Sequence, residues 1–189
     1  DLIDLFRLPA GALPRSVPTR HSFGRLTIVT RRIPLTILTG DQSAAAFAYG
    51  EPRRDTAYVN IGTGAFIQRP TGNRPARVPG LLTGVVHRED SQGVYVLEGT
   101  INGAGSALEW LRGKTGTTER AFYERLPEWL GTAEGTRLFL NGVSGLGSPF
   151  WVPDFRSRFS GTGGIGEKAA AVVESIVFLT QRNLDEMRK

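Results

Sequence analysis

Asp41 is the carboxylate of this sequence whose position is most typical of a functional site. It follows the apolar run IPLTILTG, residues 33 to 40, and precedes the alanine-rich segment DQSAAAFAYG. A side chain at the junction of a strand and a helix lies at the mouth of an α/β sheet, where open sheets bind ligands. A carboxylate there could serve as a base, whereas the alternative is that Asp41 only caps the helix. The residues around Asp41 leave both interpretations open.

The segment NIGTG, residues 60 to 64, connects two strand-like runs with small residues. Backbone amides in such a turn can approach a phosphate closely, and Thr63 adds a hydroxyl donor. A glycine-containing hairpin without any ligand gives the same pattern. The turn is therefore a candidate phosphate site with an ordinary structural alternative.

Two other motifs are weaker. GTGGIG, residues 161 to 166, matches G-x-G-x-x-G, but the dinucleotide fingerprint needs a strand directly before it, and FRSRFS is charged and turn-like. We therefore expect a flexible loop. GVSGL, residues 142 to 146, departs from G-x-S-x-G at Leu146, and only His21 and His87 could complete a triad, which disfavours a Ser-His-Asp hydrolase. The sequence shows no His or carboxylate cluster with metal-ligand spacing.

The charge balance is basic, with 23 Lys and Arg against 18 Asp and Glu and a formal net charge of +5. Clustered basic residues would favour nucleic-acid binding because they neutralise phosphates. Here they are mostly arginines in loops, with carboxylates between the groups, and no RRM, KH or zinc-finger pattern accompanies them. A solvated surface is the favoured interpretation, and a nucleic-acid-binding domain is the less favoured alternative.

Composition also bears on location. No run approaches the roughly 20 apolar residues that cross a bilayer. The N-terminal segment lacks the basic and apolar regions of a signal peptide, and the sequence has no cysteine for disulfides or thiolate metal sites. These observations favour a cytoplasmic protein without a membrane partner.

The apolar periodicity predicts an α/β fold in which helices cover a mixed sheet. Helices are expected at residues 1 to 7, 42 to 49, 103 to 113, 119 to 130 and 166 to 189. Strands are expected at residues 33 to 40, 56 to 62, 65 to 70, 81 to 88, 93 to 99 and 137 to 142. The spacing of the four strands between 56 and 99 suggests an antiparallel meander. Both ends of the chain fall in or beside helices, which favours a piece of a longer protein.

Five segments, taken in order, resemble the FGGY family of carbohydrate kinases. TGDQSAAAFAYG resembles the family's Gly-Asp-Gln-x-Ala-Ala element, and YVNIGTGAF resembles its Tyr-Gly-Thr-Gly turn. VLEGTINGAGSALEWLR resembles the Leu-Glu-Gly segment that leads into a Trp-Leu helix. GVSGLGSPFWVPDFRSRF resembles the Pro-x-Trp-x-Pro-x-x-Arg loop, and VVESIVFLTQRNLDEM resembles the long helix behind it. The likeness covers essentially the whole chain.

The resemblance implies a ribonuclease H-like fold of the actin-like ATPase superfamily, ATP and Mg²⁺ as cofactors, and a sugar or polyol substrate. It implies these site residues: Asp41 as the carboxylate facing the substrate hydroxyl, Gln42 at the substrate, Gly62, Thr63 and Gly64 at the nucleotide phosphates, and Gly105 and Glu109 at the nucleotide. Glu109 stands where a glycerol kinase of this family carries Gln. A carboxylate there is unfavourable near phosphates unless it points away.

Three family elements have no counterpart here: the first phosphate loop of the Asp-x-Gly-Thr type, the substrate residues of the first domain, and the Gly-Gly-x-x-x-Asn adenosine site. The resemblance therefore implies an incomplete domain, with residues 1–50 ending the first kinase domain and residues 51–189 forming the first half of the second, nucleotide-side domain. The remainder of the kinase chain would be its partner, and the isolated chain would be inactive. A non-catalytic binding or assembly module of the same fold is the alternative, and a homo-oligomer stays open.

Overall fold

The computed structural model describes residues 2 to 133 and 137 to 189. The helices are α1 (Leu2–Leu5), α2 (Asp41–Ala45), α3 (Gly105–Gly113), α4 (Glu119–Thr132) and α5 (Ile165–Met187), with a short 3₁₀ turn at Ala10–Ala12. The strands are β1 (Arg25–Ile28), β2 (Arg31–Pro34), β3 (Tyr58–Ile61), β4 (Ala65–Gly72), β5 (Leu82–Glu89), β6 (Gln92–Ile101), β7 (Phe139–Leu140) and β8 (Arg158–Phe159). The predicted elements from residue 56 onwards are all present, with shifted ends.

The main sheet has four strands in the order β3-β4-β6-β5, and each neighbouring pair is antiparallel. Antiparallel pairing is confirmed, but the predicted meander is wrong, because β6 rather than β5 lies beside β4. Burial gives the reason. Ile67 of β4 and Leu97 and Ile101 of β6 are core residues, whereas β5 exposes most of its side chains. The two apolar strands therefore occupy the centre, and the more polar β5 forms an edge.

Helix α5 packs on this sheet and completes its core. Ile176 and Met187 contact the same buried cluster as Ile67 and Leu97. The apolar residues of this helix recur at helical spacing, which predicts a buried face that includes Val177, and the structure agrees except at Val177, which is 58% exposed. Val177 follows Ile176, and successive residues of a helix point about 100° apart, so burial of Ile176 turns Val177 towards solvent.

A second core joins α3, α4 and the first half of α5. Leu111, Phe122, Trp129 and Val172 are buried there together. Thr118 is the N-cap of α4, because its side chain accepts a 3.4 Å hydrogen bond from the backbone amide of Ala121. Because both the sheet and the α3–α4 pair pack against α5, that helix fixes where α3 starts relative to the sheet.

The first 50 residues differ most from expectation. Strands β1 and β2 form a two-stranded hairpin of which only Ile33 and Pro34 fall within the strand predicted at 33 to 40, and the rest of that predicted strand is absent. All residues of both strands are exposed, and the alternation of Leu26 and Ile28 with polar residues in β1 is too short, at four residues, to distinguish a strand from a loop. Helix α1 is shorter than the predicted helix at 1 to 7, of which Asp1 lies outside the described residues.

The strand predicted at 137 to 142 contracts to β7, which pairs with the equally short β8. The Phe139 ring lies 4.6 Å from the Phe159 ring across this pair. In the described part of the chain, no helix is both long enough and apolar enough to span a membrane.

Candidate functional site

Asp41 is the first residue of α2, and the capping position before it is Gly40. The interpretation of Asp41 as the cap of this helix is therefore wrong. The side chain is exposed, and its Oδ1 accepts a 2.8 Å hydrogen bond from the backbone amide of Gln42. This local bond orients the carboxylate while the side chain stays open to solvent, as a group that meets a substrate must be.

Gln42 connects the Asp41 element to the main sheet. Asn60 Nδ2 donates a 3.2 Å hydrogen bond to Gln42 Oε1, although 18 residues separate the two. Asn60 lies in β3, which runs directly into the turn at residues 62 to 64. Strand residues advance about 3.3 Å each, so the turn begins roughly 7 Å beyond Asn60. The structure thus brings together two sequence motifs that were predicted to share one site.

A cavity of about 340 Å³ lies between α2 and strands β3 and β4. Gln42 lines it, together with residues that the sequence reasoning missed: Tyr49, Arg53, Tyr58, Asn60, Phe66 and Gln68. Phe66 could have been found from its position, because it alternates with the core residues Ala65 and Ile67 and must point to the other face of the sheet. The cavity combines aromatic walls with amide and guanidinium donors, a combination suited to a small polar ligand.

The rim of this cavity is held by a short ion pair. Arg53 Nη2 lies 2.7 Å from Asp55 Oδ2, and the backbone amide of Arg53 donates a 3.1 Å hydrogen bond to the Tyr58 hydroxyl. The hydrogen bond from Arg53 lowers the pKa of Asp55 below its usual value. Both charged side chains are exposed, so their pairing shapes the rim more than it stabilises the fold.

The turn at residues 62 to 64 packs against the start of α3. The Gly62 carbonyl accepts a 2.9 Å hydrogen bond from the Gly105 amide, and the Thr63 carbonyl accepts from the amides of Ala104 and Ser106 at 3.2 and 3.0 Å. A Cβ at Gly105 would lie 2.6 Å from the Gly62 oxygen. The carbonyl oxygens of Gly62 and Thr63 therefore accept the hydrogen bonds at the start of α3. These bonds do not use the backbone amides of Thr63 and Gly64.

Glu109 lies one turn further along α3, and both of its carboxylate oxygens have partners. Arg112 Nε donates to Oε2 at 2.7 Å, and the Tyr123 hydroxyl donates to Oε1 at 2.7 Å. The hydrogen bond from Arg112, followed by that from Tyr123, lowers the pKa of Glu109. The negative charge near the proposed nucleotide position is thus compensated inside the α3–α4 pair. The assignment of Glu109 to the nucleotide stays a prediction.

Of the G-x-G-x-x-G segment, residues 161 to 164 form an irregular loop after the two-residue strand β8, and Ile165 and Gly166 begin α5. Glu167 Oε2 accepts a 2.8 Å hydrogen bond from the Gly164 amide, and Glu167 Oε1 accepts from Arg137 Nε at 3.1 Å. A carboxylate thus lies where a dinucleotide phosphate would have to bind. Among the residues that the structure describes, no three His, Cys, Asp or Glu side chains converge to hold a metal ion.

Comparison with known proteins gives a consistent result. The model of the C-terminal domain of the FGGY family of carbohydrate kinases matches residues 57–189. The chain is 34% identical over 192 residues to a glycerol kinase of Rippkaea orientalis and 30% identical over 195 residues to a glycerol kinase of Aquifex aeolicus. These alignments cover 98% and 100% of this chain but 38% and 39% of the relatives, so the chain spans well under half of their length.

Solved structures with a similar fold include a glycerol kinase of Plasmodium falciparum with ADP, with a TM-score of 0.81 and 24% identity. A xylulose kinase of Rhodospirillum rubrum gives a TM-score of 0.76 and 20% identity. Each covers 98% of this chain, which itself corresponds to 39% of either solved chain. The chain therefore shares the α/β fold of these solved kinases, as predicted. Since the family model matches most of the sequence and the relatives align from end to end, the chain belongs to the FGGY family of carbohydrate kinases.

Proposed function

We propose that this chain carries the acceptor-activating and phosphate-binding elements of an enzyme that transfers phosphate from ATP to a hydroxyl of a sugar or polyol. The observation that carries the proposal is the hydrogen bond between Gln42 and Asn60. It joins the segment that begins with Asp41 to the strand that ends in the glycine turn, so the proposed base lies near the end of β3 from which the proposed phosphate site continues. Phosphoryl transfer requires this juxtaposition, because its catalysis consists mostly of positioning and charge neutralisation.

Asp41 is the proposed base. Its exposed carboxylate, oriented by the Gln42 amide, accepts the proton of the substrate hydroxyl as that oxygen attacks the terminal phosphate. Gln42 binds the substrate from the adjoining cavity, where Phe66 supplies an apolar wall. The family membership and the names of the relatives, which are glycerol and xylulose kinases, support a polyol or a ketose as the acceptor.

The turn at residues 62 to 64 is the proposed phosphate site of the nucleotide. Its carbonyls are bound by α3, and the amides of Thr63 and Gly64 with the Thr63 hydroxyl remain suited to phosphate oxygens. Gly105 keeps the turn and the helix in close contact. Mg²⁺ usually retains several waters and binds through phosphates with one or two carboxylates, so a ready-made cluster of protein ligands is not required. We propose that it enters with ATP and offsets the phosphate charge.

The chain also requires a partner, which we propose to be the remainder of the kinase. Residues 1–50 would end the first domain and residues 51–189 would begin the second, an assignment supported by the start of the family match at residue 57. The chain covers only 38% of the length of the glycerol kinase of Rippkaea orientalis. The isolated 189 residues are therefore expected to lack turnover.

The proposal is tested by incubating the intact enzyme with ATP, Mg²⁺ and single acceptors, including glycerol and xylulose, and measuring ADP release. We expect release above the acceptor-free rate with at least one polyol or ketose, and no release by the isolated chain. If no acceptor raises the rate, the kinase assignment fails. If the isolated chain matches the intact enzyme, the proposed need for the remaining chain fails.

A further inference from the structure

We propose that Asn60 is a positioning residue that fixes the side-chain amide of Gln42, so that Gln42 presents its NH₂ group and not its oxygen to the acceptor. This inference rests on the proposed function and concerns the same cavity. Asn60 lies in β3 opposite Phe66 of β4, and both line the cavity with Gln42. The sequence contains no local signal for the pair, since 18 residues separate its members.

The chemistry follows from the two ends of a carboxamide. Its oxygen only accepts hydrogen bonds and its NH₂ only donates them. Asn60 Nδ2 donates to Gln42 Oε1 at 3.2 Å, so the oxygen of Gln42 is occupied from the sheet side. The group left for a ligand is the NH₂ of Gln42. The backbone of Asn60 is held by the pairing of β3 with β4. Its short side chain therefore has fewer rotamers than the longer side chain of Gln42, which it orients.

This orientation matters for an acceptor hydroxyl. A hydroxyl has one proton to donate and two lone pairs that accept. If Gln42 donates to the hydroxyl oxygen, the hydroxyl keeps its own proton for a base, whereas a glutamine oxygen would compete for that proton. Asp41, whose Oδ1 accepts a hydrogen bond from the backbone amide of Gln42, is the adjacent base. Asn60 thereby aligns the substrate hydroxyl for loss of its proton to Asp41.

The same substitution at two asparagines separates positioning from general effects of charge. In Asn60→Asp the donor becomes a carboxylate, which accepts from the Gln42 NH₂ and reverses the amide. We expect kcat/KM for the acceptor to fall by about 10- to 100-fold, because a hydrogen bond to a charged group outcompetes the neutral one. KM for ATP should stay unchanged. Asn73→Asp, in the loop after β4 and outside this cavity, serves as the matched control and should leave both constants within about twofold.

A double-mutant cycle tests whether Asn60 acts through Gln42. Asn60→Ala alone should lower kcat/KM for the acceptor by about 3- to 10-fold, the usual effect of one neutral hydrogen bond. In the Gln42→Ala background the same change should have almost no effect, because the group it positions is gone. Equal effects in the two backgrounds, or a rise in KM for ATP equal to that for the acceptor, would overturn the inference.

The orientation can be checked without turnover, which separates this inference from the proposed kinase activity. In NMR spectra of the intact enzyme without substrate, the Gln42 NH₂ protons should exchange rapidly with solvent in the wild type and more slowly in Asn60→Asp, where they become bonded. Slow exchange in the wild type that Asn60→Asp abolishes would show the opposite orientation and overturn the inference. A negative kinase assay combined with the expected exchange pattern would remove the proposed function while leaving the amide orientation in place.

Discussion

The amide of Gly105 donates a 2.9 Å hydrogen bond to the carbonyl of Gly62, which ties the start of α3 to the glycine turn. The two backbones approach so closely that a Cβ at Gly105 would lie 2.6 Å from the Gly62 oxygen. The turn and the helix therefore form one unit. The position of the proposed phosphate site depends on Gly105, which lies 43 positions after Gly62 in the sequence.

Gly105→Ala should displace the turn and weaken nucleotide binding. The added methyl group meets backbone, which cannot move aside as a flexible side chain can. We expect a loss of about 1–3 kcal/mol in the free energy of unfolding and weaker ATP binding by the intact enzyme. Calorimetric titration with ATP and denaturant unfolding measure the two effects.

Gly113→Ala, at the other end of the same helix, is the matched control. Its Cβ would meet nothing within 4 Å. Alanine favours helix more than glycine, so this change should stabilise the chain by up to about 1 kcal/mol. If both substitutions have the same effect, close contact with the turn is not what requires glycine at residue 105.

Asn183→Leu should destabilise the fold strongly, because it removes a buried bridge between α5 and the loop at residue 148. The Asn183 side chain is fully buried, donates to the carbonyls of Ser148 and Leu179 at 3.1 and 2.9 Å, and accepts from the Ser148 hydroxyl at 2.7 Å. Unpaired buried polar groups cost about 1–3 kcal/mol each, and urea unfolding should show a loss of at least that size.

The control for this change lies on the exposed side of the same helix. Gln181→Ala removes one exposed hydrogen bond to Asp185 and should change the free energy of unfolding by less than about 0.5 kcal/mol. A similar loss in both variants would mean that the buried network contributes nothing beyond ordinary helix stability.

Tyr123 should make the fold sensitive to high pH. Burial, and after it the hydrogen bond to Glu109, raises the pKa of Tyr123 from 10.0 to about 12. The folded chain therefore holds this proton more tightly than the unfolded chain does. The resulting stabilisation is complete below pH 10 and is lost as the pH rises towards 12. Unfolding measured across this window should show a smaller decline in Tyr123→Phe than in the wild type.

Glu109→Gln should lower the pKa of Tyr123 only part of the way. The substitution removes the carboxylate that accepts from the phenol, but the partial desolvation of the phenol, which is the larger cause, remains. A pH titration of the Tyr123 ring signal by NMR measures the change. An unaltered pKa would mean that Glu109 and Tyr123 do not interact in solution.

The sequence predicted the elements whose burial follows a regular period. Helix α5 is of this kind, because one of its faces lies in the core, whereas β6 is predictable from its β-branched and aromatic residues although Val96 and Leu97 are buried on opposite faces. It could not predict that β6 lies between β4 and β5, since strand order depends on how whole strands share the core. The hairpin of β1 and β2 consists of two four-residue strands without a buried residue, so neither strand gives a pattern long enough to predict it.

The candidate site was predictable in the same limited way. Asp41, Gln42 and the turn at residues 62 to 64 are visible as motifs, and the structure joins them through one hydrogen bond from Asn60. That bond, the pairing of Glu109 with Tyr123, and the use of the turn's carbonyls by α3 are contacts between distant segments. Local sequence contains no information about them, because each depends on how the elements pack.

Asp41 is the proposed base for the acceptor hydroxyl, and the variant Asp41→Asn of the intact enzyme is the sharpest test of that role. Asparagine keeps the shape of the side chain but cannot act as the base. The matched control is Asp90→Asn in the β5–β6 turn, where Asn tolerates the positive φ of 38° equally well. Turnover should stay near the wild-type rate in this control. For Asp41→Asn we predict a fall in kcat of about 10²- to 10⁴-fold with ATP affinity unchanged, whereas a kcat equal to that of the wild type would show that Asp41 is not the base.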